Sequence, residues 1–401
     1  MASAARPAVG EAAGERGSTG AADVTGVLVL GCCAGWALIT AAGREARPEG
    51  VLLALLAVAA GYACGRIGGA VLPVAVPACA AITGAALAYA APYGLPGVAV
   101  DPPPGHTGAH AALFALASGA ACCSAWAARS PAARLCLRLP AVAIAGAALA
   151  AGSPAGCVAA AVVLLCSLAA APMRRHRATG LAGLALAGTV VAGVAWAVAQ
   201  DVLPTGLAVS LEGQLTERRV LLWHDAAALA AGNPVLGTGP DRFGDLSPAA
   251  QGITSSGGKP HSAVLQLAAE QGLPGLLLLS AASLWLLHSL WRSPRSTQVV
   301  LTAGAALTVV AAVASVGNAL SFAPVTAGAG FLAGLATARP LGAAHGPTDA
   351  EPGADTESAA GPDAEPRVTA GPLHAAPSSL PGSNPLSRGH VDWEPAGSLD
   401  P

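Results

Sequence analysis

Apolar runs of bilayer-crossing length recur from about residue 24 to residue 338. No other feature constrains the fold as strongly. A hydrocarbon core of about 30 Å takes roughly 20 residues of helix, and ten runs approach that length: about 24–43, 48–64, 70–92, 109–128, 139–152, 155–172, 180–202, 272–290, 298–316 and 318–338. Residues are 54% hydrophobic and 10% charged, whereas soluble domains carry about 25% charged residues. The expected class is therefore an all-α polytopic membrane protein with about ten transmembrane helices. The runs at 139–152 and 155–172 are short and divided by Gly152-Ser153-Pro154. They read as two short spans, with a re-entrant pair or one long kinked helix as alternatives. Gly317-Asn318 marks the boundary between the last two runs.

Arginine placement sets the direction of the chain. Arg66, the group Arg129, Arg134 and Arg138, the group Arg174, Arg175 and Arg177, and the pair Arg292 and Arg295 lie in four separate connections. With ten spans all four fall on one side, expected to be cytoplasmic together with both termini. The connections 93–108 and 203–260 then face outward. The short loop with Arg44 and Arg47 also faces outward, against the rule, but Glu45 and Glu49 share it. Residues 1–22 lack the short apolar core and cleavage site of a secretory signal, so the first span is expected to be a retained anchor in the cytoplasmic membrane. The domain reading is a disordered N-terminus over 1–23, spans 1–7 over 24–202, a large outward loop with an amphipathic helix over 203–271, spans 8–10 over 272–338, and a disordered cytoplasmic tail over 339–401. The tail is rich in Pro, Gly, Ala, Ser and acidic residues and poor in large apolar ones, too few to bury a core.

Nine cysteines all lie in or beside apolar runs, without paired metal-ligand spacing. They read as small packing residues, and no metal is expected. The interior of the spans carries no ionisable residue near its midplane. This argues against ion-coupled transport, which holds charges at that depth.

Polar residues collect instead in the loop 203–260 and its edges: Glu212, Glu217, Arg218, Arg219, His224, Asp225, Asp241, Arg242, Asp245, Lys259 and His261. A loop this long is uncommon unless it is functional or disordered, and its sequence is not low in complexity. Residues 215–231 read as an amphipathic helix, with Leu215, Leu222, Ala226 and Leu229 on one face and Thr216 as a cap. NPVLGTGPDRFGD then supplies turn residues at Asn233-Pro234, Gly237 and Gly239-Pro240. Further on, in KPHSAVLQLAAEQGLPG (259–275), His261 stands where the chain is about to enter the membrane. Without further information, His261 reads as an interfacial histidine and Arg219 as a headgroup-contacting arginine. Glu270 reads as a turn cap or arginine partner. Gly272 and Gly275 read as marks of close helix packing.

The stretch HSAVLQLAAEQGLPG resembles the signature of the O-antigen ligase family. In that signature a histidine is followed by Asn, Ser or Gln, nine further residues, and G-x-x-G. Here these are His261, Ser262, residues 263–271, Gly272 and Gly275. Upstream, Arg219 and Trp223 in R-x-x-x-W, and Pro234, Leu236, Gly237, Gly239 and Phe243 in NPVLGTGPDRF, are similar to a second family segment. The two blocks follow the family's order within one outward loop.

The resemblance implies a GT-C-like helical membrane glycosyltransferase. It would take a glycan from an undecaprenyl-diphosphate carrier on the outer face of the cytoplasmic membrane and pass it to an acceptor hydroxyl, on a glycan or another acceptor. No metal or other cofactor is implied, and no nucleic-acid partner. Such chemistry suits the residues present. An acceptor hydroxyl is a weak nucleophile helped by a positioned base, and histidine titrates in the right range. A diphosphate leaving group gains charge as the anomeric bond breaks, and arginine binds phosphate bidentately. The resemblance thus implies His261 and Arg219 as catalytic residues, with Arg218, Arg242, Glu270, Gly272 and Gly275 at the substrate. The chain departs from the family in having ten rather than about twelve spans and Ser rather than the commoner Asn after the histidine. An additional early outward arginine is usual in the family, and here only Arg44 and Arg47 qualify. Two other readings compete: a transporter or flippase for a lipid-linked or small substrate, and a non-catalytic membrane scaffold in which His261 and Arg219 are replaceable.

Overall fold

The computed structural model describes residues 8–90, 108–202, 217–251 and 259–339, and these are all-helical apart from turns and connections. Ten apolar helices are present: α1 (Ala8–Ala41), α2 (Glu49–Val71), α3 (Ala75–Ala90), α4 (Ala109–Ala127), α5 (Pro131–Ala150), α6 (Pro154–Ala169), α7 (Arg177–Ala199), α11 (Ala263–Trp291), α12 (Thr297–Val316) and α13 (Ala323–Thr337). Among the described residues three more helices, α8 (Glu217–Gly232), α9 (Phe243–Leu246) and α10 (Pro248–Gln251), lie between α7 and α11. The sequence predicts ten spans; among the described residues seven helices are long and apolar enough to cross a membrane, and three further apolar helices, α3, α6 and α13, are shorter. Leu215, Thr216, Glu212, most of the connection 93–108 and the tail from 340 lie outside the described residues.

Local chemistry explains where helices begin and end. The break at Gly152-Ser153-Pro154 separates two helices rather than kinking one. Gly152 takes a left-handed φ of 69°, the Ser153 N–H donates back to the Ala148 carbonyl at 2.9 Å, and the Ser153 hydroxyl accepts from the Gly156 N–H at 3.2 Å. That is a glycine stop followed at once by a serine cap with proline at the first helical position. Helix α5 starts at Pro131, eight residues before the apolar run, because Ser130 caps it by accepting from the Ala133 N–H. Between α12 and α13 the chain leaves the helix at Gly317 and makes a short 3₁₀ turn, Ala319–Ser321. At the other end of the chain, α1 begins at Ala8, so helix extends back through 8–23, which composition suggested would be disordered. Those residues lack proline, and their Ala, Glu and Arg positions support helix between four glycines.

Helix α4 sits at the centre and is buried along nearly its whole length, being built from Ala, Gly, Ser and Cys between a few larger residues. Small side chains let neighbouring helices approach closely, which is how helices associate where no hydrophobic effect separates them from lipid. Cys122 and Cys123 are two such buried packing residues, and all nine cysteines are unpaired.

The four arginine groups gather at one end of the bundle, with Arg66 inside α2 and Arg134 and Arg138 inside α5 rather than in the expected connections. Several of their side chains close helix C-termini, where carbonyls lack intrahelical partners. Arg177 donates to the carbonyls of Trp291, Ser293 and Arg295 at the end of α11. Arg295 donates to the carbonyls of Gly69 and Ala338, and Arg134 to that of Ala128 at 3.0 Å. Arg66 pairs with Asp23 at 2.8 Å. The opposite end carries the α1–α2 connection, helices α8–α10, the start of α11 and the α12–α13 turn.

Candidate functional site

Helix α11 is broken, and the break organises this second end. Gly272 has φ 68° and ψ −164°, which no helix contains, and Pro274 has no N–H to donate. A continuous helix would send the N–H groups of residues 273, 274 and 275 to the carbonyls of 269, 270 and 271. Each of those carbonyls finds another donor here. The Ala269 carbonyl accepts from the Thr238 N–H at 2.8 Å and its hydroxyl at 3.1 Å. The Glu270 carbonyl accepts from the Gly239 N–H at 2.9 Å, and the Gln271 carbonyl from Trp36 Nε1 at 3.0 Å. In return, the Leu273 N–H donates to the Pro234 carbonyl at 2.8 Å. The two sequence blocks are thereby one structure, the glycine-rich turn docked edge-on into the helix break.

This docking explains the glycines. A Cβ on Gly272 would stand 2.7 Å from the carbonyl oxygens of Pro234 and Val235, and a Cβ on Gly237 would overlap the backbone of Glu270. Gly237 (φ 60°), Gly239 (φ 100°) and Asp241 (φ 60°) all adopt left-handed conformations, which glycine takes without penalty and aspartate tolerates. Gly272 and Gly237 thus each leave room for the other's segment. Gly275 sits against the Gln271 side chain on the far side of the break.

An apolar floor supports the turn. Leu222, Trp223, Ala226 and Ala227 of α8 pack with Phe243 and Ala250, with Leu265 and Ala269 of α11, and with Ala195, Val198 and Ala199 of α7. Trp223 and Phe243 are each only 1% exposed, so the aromatic positions of both motif halves are core residues. The predicted apolar face of 215–231 is recovered in Leu222, Ala226 and the half-buried Leu229. Asp225 fixes the following short helices, its carboxylate accepting from the Ser247 hydroxyl at 2.5 Å and the Ala249 N–H at 3.0 Å.

The polar residues distribute as follows. His261 precedes the first turn of α11 with φ 53° and is half-buried. Ser262 is the N-cap, its hydroxyl facing the Leu265 N–H at 3.4 Å. Arg219 lies one turn before Trp223 on α8, partly buried, and burial lowers its pKa from the ordinary arginine value. Arg218, beside it, is exposed. Arg242 stands at the N-cap of α9; its Nε is buried without a hydrogen-bond partner among the described residues. Glu270 is 3% exposed. Its carboxylate accepts from the Asp241 backbone N–H and from Gln266 Nε2 at 3.2 Å. It therefore holds the left-handed Asp241 in place and makes no ion pair with an arginine. Lys259 reaches Ser321 of the α12–α13 turn at 3.4 Å.

The α1–α2 connection completes the site. Arg44 Nη1 donates to the Gly237 carbonyl at 2.8 Å, and the Arg47 N–H to the Pro240 carbonyl at 3.0 Å. The Asp23–Arg66 ion pair lies at the other end. Arg44, Arg47, Arg218, Arg219 and Arg242 thus bring positive charge to this end without a carboxylate partner among the described residues. Trp36 and Thr238 are the partners that sequence reasoning did not single out. The signal for them was indirect: Pro274 two residues after Gly272 implies freed carbonyls, which need donors from elsewhere.

Fold and site together define a helical membrane protein with a folded insertion between α7 and α11, docked on a broken helix and bearing Arg218, Arg219 and Arg242. Residues 139–280, just over a third of the chain, match the family model described as O-Antigen ligase. The chain is therefore O-antigen ligase-like over a segment containing both motif blocks, which indicates a membrane protein that processes glycans. Neither the curated proteins nor the solved structures give a match.

Proposed function

We propose that the protein is a GT-C-like membrane glycosyltransferase. It moves or polymerises a glycan from an undecaprenyl-diphosphate carrier onto an acceptor hydroxyl at the outer face of the cytoplasmic membrane, in the making of a surface polysaccharide. The observation that carries this reading is the docked turn, which gathers Arg44, Arg47 and Arg242 around one backbone motif at the end where His261 precedes α11. Beside a lipid boundary, arginines that make no ion pair among the described residues suit a lipid diphosphate, a doubly charged group that neutral residues hold poorly. Partial burial of Arg219 strengthens its attraction for an anion, because low dielectric magnifies the interaction.

In the proposed reaction His261 orients the acceptor hydroxyl and takes its proton as the oxygen bonds to the anomeric carbon. The bond from that carbon to the carrier diphosphate breaks, and its electron pair leaves with the diphosphate. Arg219 stabilises the charge that develops there, with Arg218 and Arg242 as helpers. Glu270, Gly272 and Gly275 serve the substrate indirectly by shaping the turn and the break. On this reading both termini and the four arginine groups face the cytoplasm, and α8–α10 face outward.

The test is transfer by His261→Ala and Arg219→Ala at matched membrane levels, following surface polysaccharide size and lipid-linked precursor on gels. Each substitution is expected to lower transfer by about 100-fold or more, the scale of a lost general base or transition-state charge contact, with precursor accumulating. Wild-type surface glycan from both variants would exclude the reaction.

A further inference from the structure

The α1–α2 connection lies outside the family-matched segment, yet it grips that segment's turn at consecutive points. Arg44 holds the Gly237 carbonyl and the Arg47 N–H holds the Pro240 carbonyl. Between them, the missing side chain of Gly239 leaves a seat: a Cβ there would stand 3.0 Å from Ala46 Cβ, 3.4 Å from the Thr40 carbonyl oxygen and 3.6 Å from Arg242 Cδ. The stem of Arg242 therefore lies over the turn beside the connection. The N–H groups of Thr238 and Gly239 tie this turn to α11, and the Arg44 contact adds a charged restraint at Gly237, whose left-handed conformation leaves its carbonyl free to face outward. A charged donor on one of the turn's carbonyls restrains it more strongly than a neutral one does.

We propose that Arg44 is a positioning residue. By holding the Gly237 carbonyl it completes the restraint on the 237–242 turn that the α11 carbonyls begin, and so sets where the Arg242 guanidinium, whose buried Nε has no described partner, meets the diphosphate of the donor. This rests on the glycan-transfer reading for the role of Arg242. Arg44 acts through Arg242 and not on the ligand itself, which gives it a thermodynamic signature: its contribution disappears when Arg242 is absent.

The experiment measures binding of undecaprenyl diphosphate to the purified full-length chain for wild type, Arg44→Ala, Arg242→Ala and the double variant. The thermal midpoint of each checks the fold. Arg44→Ala is expected to weaken binding about tenfold, the scale of a lost charge-assisted hydrogen bond. The double variant is expected to bind no worse than Arg242→Ala alone, and Arg44→Lys to recover part of the loss. If Arg44→Ala fails to fold, Arg44→Lys and Arg44→Gln take its place in the same cycle. Wild-type binding by the Arg44 variant overturns the proposal. So do losses that add in the double variant, since Arg44 would then touch the ligand directly or act on the whole fold. Should Arg242→Ala bind normally and His261→Ala transfer normally, the glycan-transfer reading itself falls. Should Arg242→Ala bind poorly while Arg44→Ala binds well, only the positioning role falls.

Discussion

Gly272 shows how much one backbone conformation decides in this protein. Its left-handed φ opens α11, and its bare Cα lets the carbonyls of Pro234 and Val235 come close. Alanine there meets both obstacles. The pair φ 68°, ψ −164° lies in a region essentially confined to glycine, at a cost of about 1–3 kcal/mol to other residues, and the Cβ would stand 2.7 Å from two backbone oxygens that cannot swing aside. Gly272→Ala is expected to lower the stability of the purified chain by about 2 kcal/mol or more, read as a fall in thermal midpoint. Gly183→Ala, at a site with open space around it, is the control expected to be near neutral. Equal midpoints for the two would refute the close approach. The G-x-x-G spacing was legible in the sequence as close packing, and packing is what Gly272 does. What it packs against was not legible, because Pro234 is far away along the chain and meets Gly272 only through the docked turn.

At the scale of elements, α11 is two pieces with different tasks. The piece before the break, Ala263–Gln271, packs on α8 and supplies carbonyls to the turn, and the piece after it runs on as an apolar helix. The sequence reading starts a span near Gly272, where apolarity changes, and the helix break falls at that residue within the longer apolar helix Ala263–Trp291. The sequence also explains Ser262, which serves as N-cap; Asn, the commoner family residue at that place, caps equally well. Ser262→Ala is expected to cost about 1 kcal/mol, and Ser262→Asn to be close to neutral. Thermal unfolding of the two variants checks this, and equal losses would remove the capping role. The amphipathic helix 215–231 was similarly readable from its period, but its largest buried residue was not. Trp223 is 1% exposed, and only the packing of Phe243 and Leu265 around it makes that so.

For the molecule as a whole, one interface ties the chain's beginning to its end. Helices α2 and α13 pack with their backbones touching: a Cβ on Gly61 would overlap the Ala327 carbonyl, on Gly65 that of Phe331, on Gly330 that of Val58 and on Gly334 that of Tyr62. The partners advance together along both helices, so the two run parallel. Glycines at every fourth position form a groove that admits another backbone. Gly65→Val is therefore expected to separate these helices, with loss of the monodisperse peak in detergent size-exclusion and a large drop in membrane level. Retention of both would contradict the interface. The same interface bears on the site, because α2 begins just after the connection that carries Arg44 and Arg47.

The sequence by itself determined the class of fold, the alternation of the helices, the end at which the four arginine groups collect, and the two blocks that resemble a glycan-transferring family. These follow from quantities local in the chain: apolar length, arginine count, turn residues and spacing. Only the tertiary structure decided that the two blocks are one unit, that Glu270 holds Asp241 rather than an arginine, and that Arg44 reaches the Gly237 carbonyl across 193 positions. The physical reason is the broken helix. Its freed carbonyls must be paired, any donor within reach serves, and which donors come within reach depends on how distant helices pack.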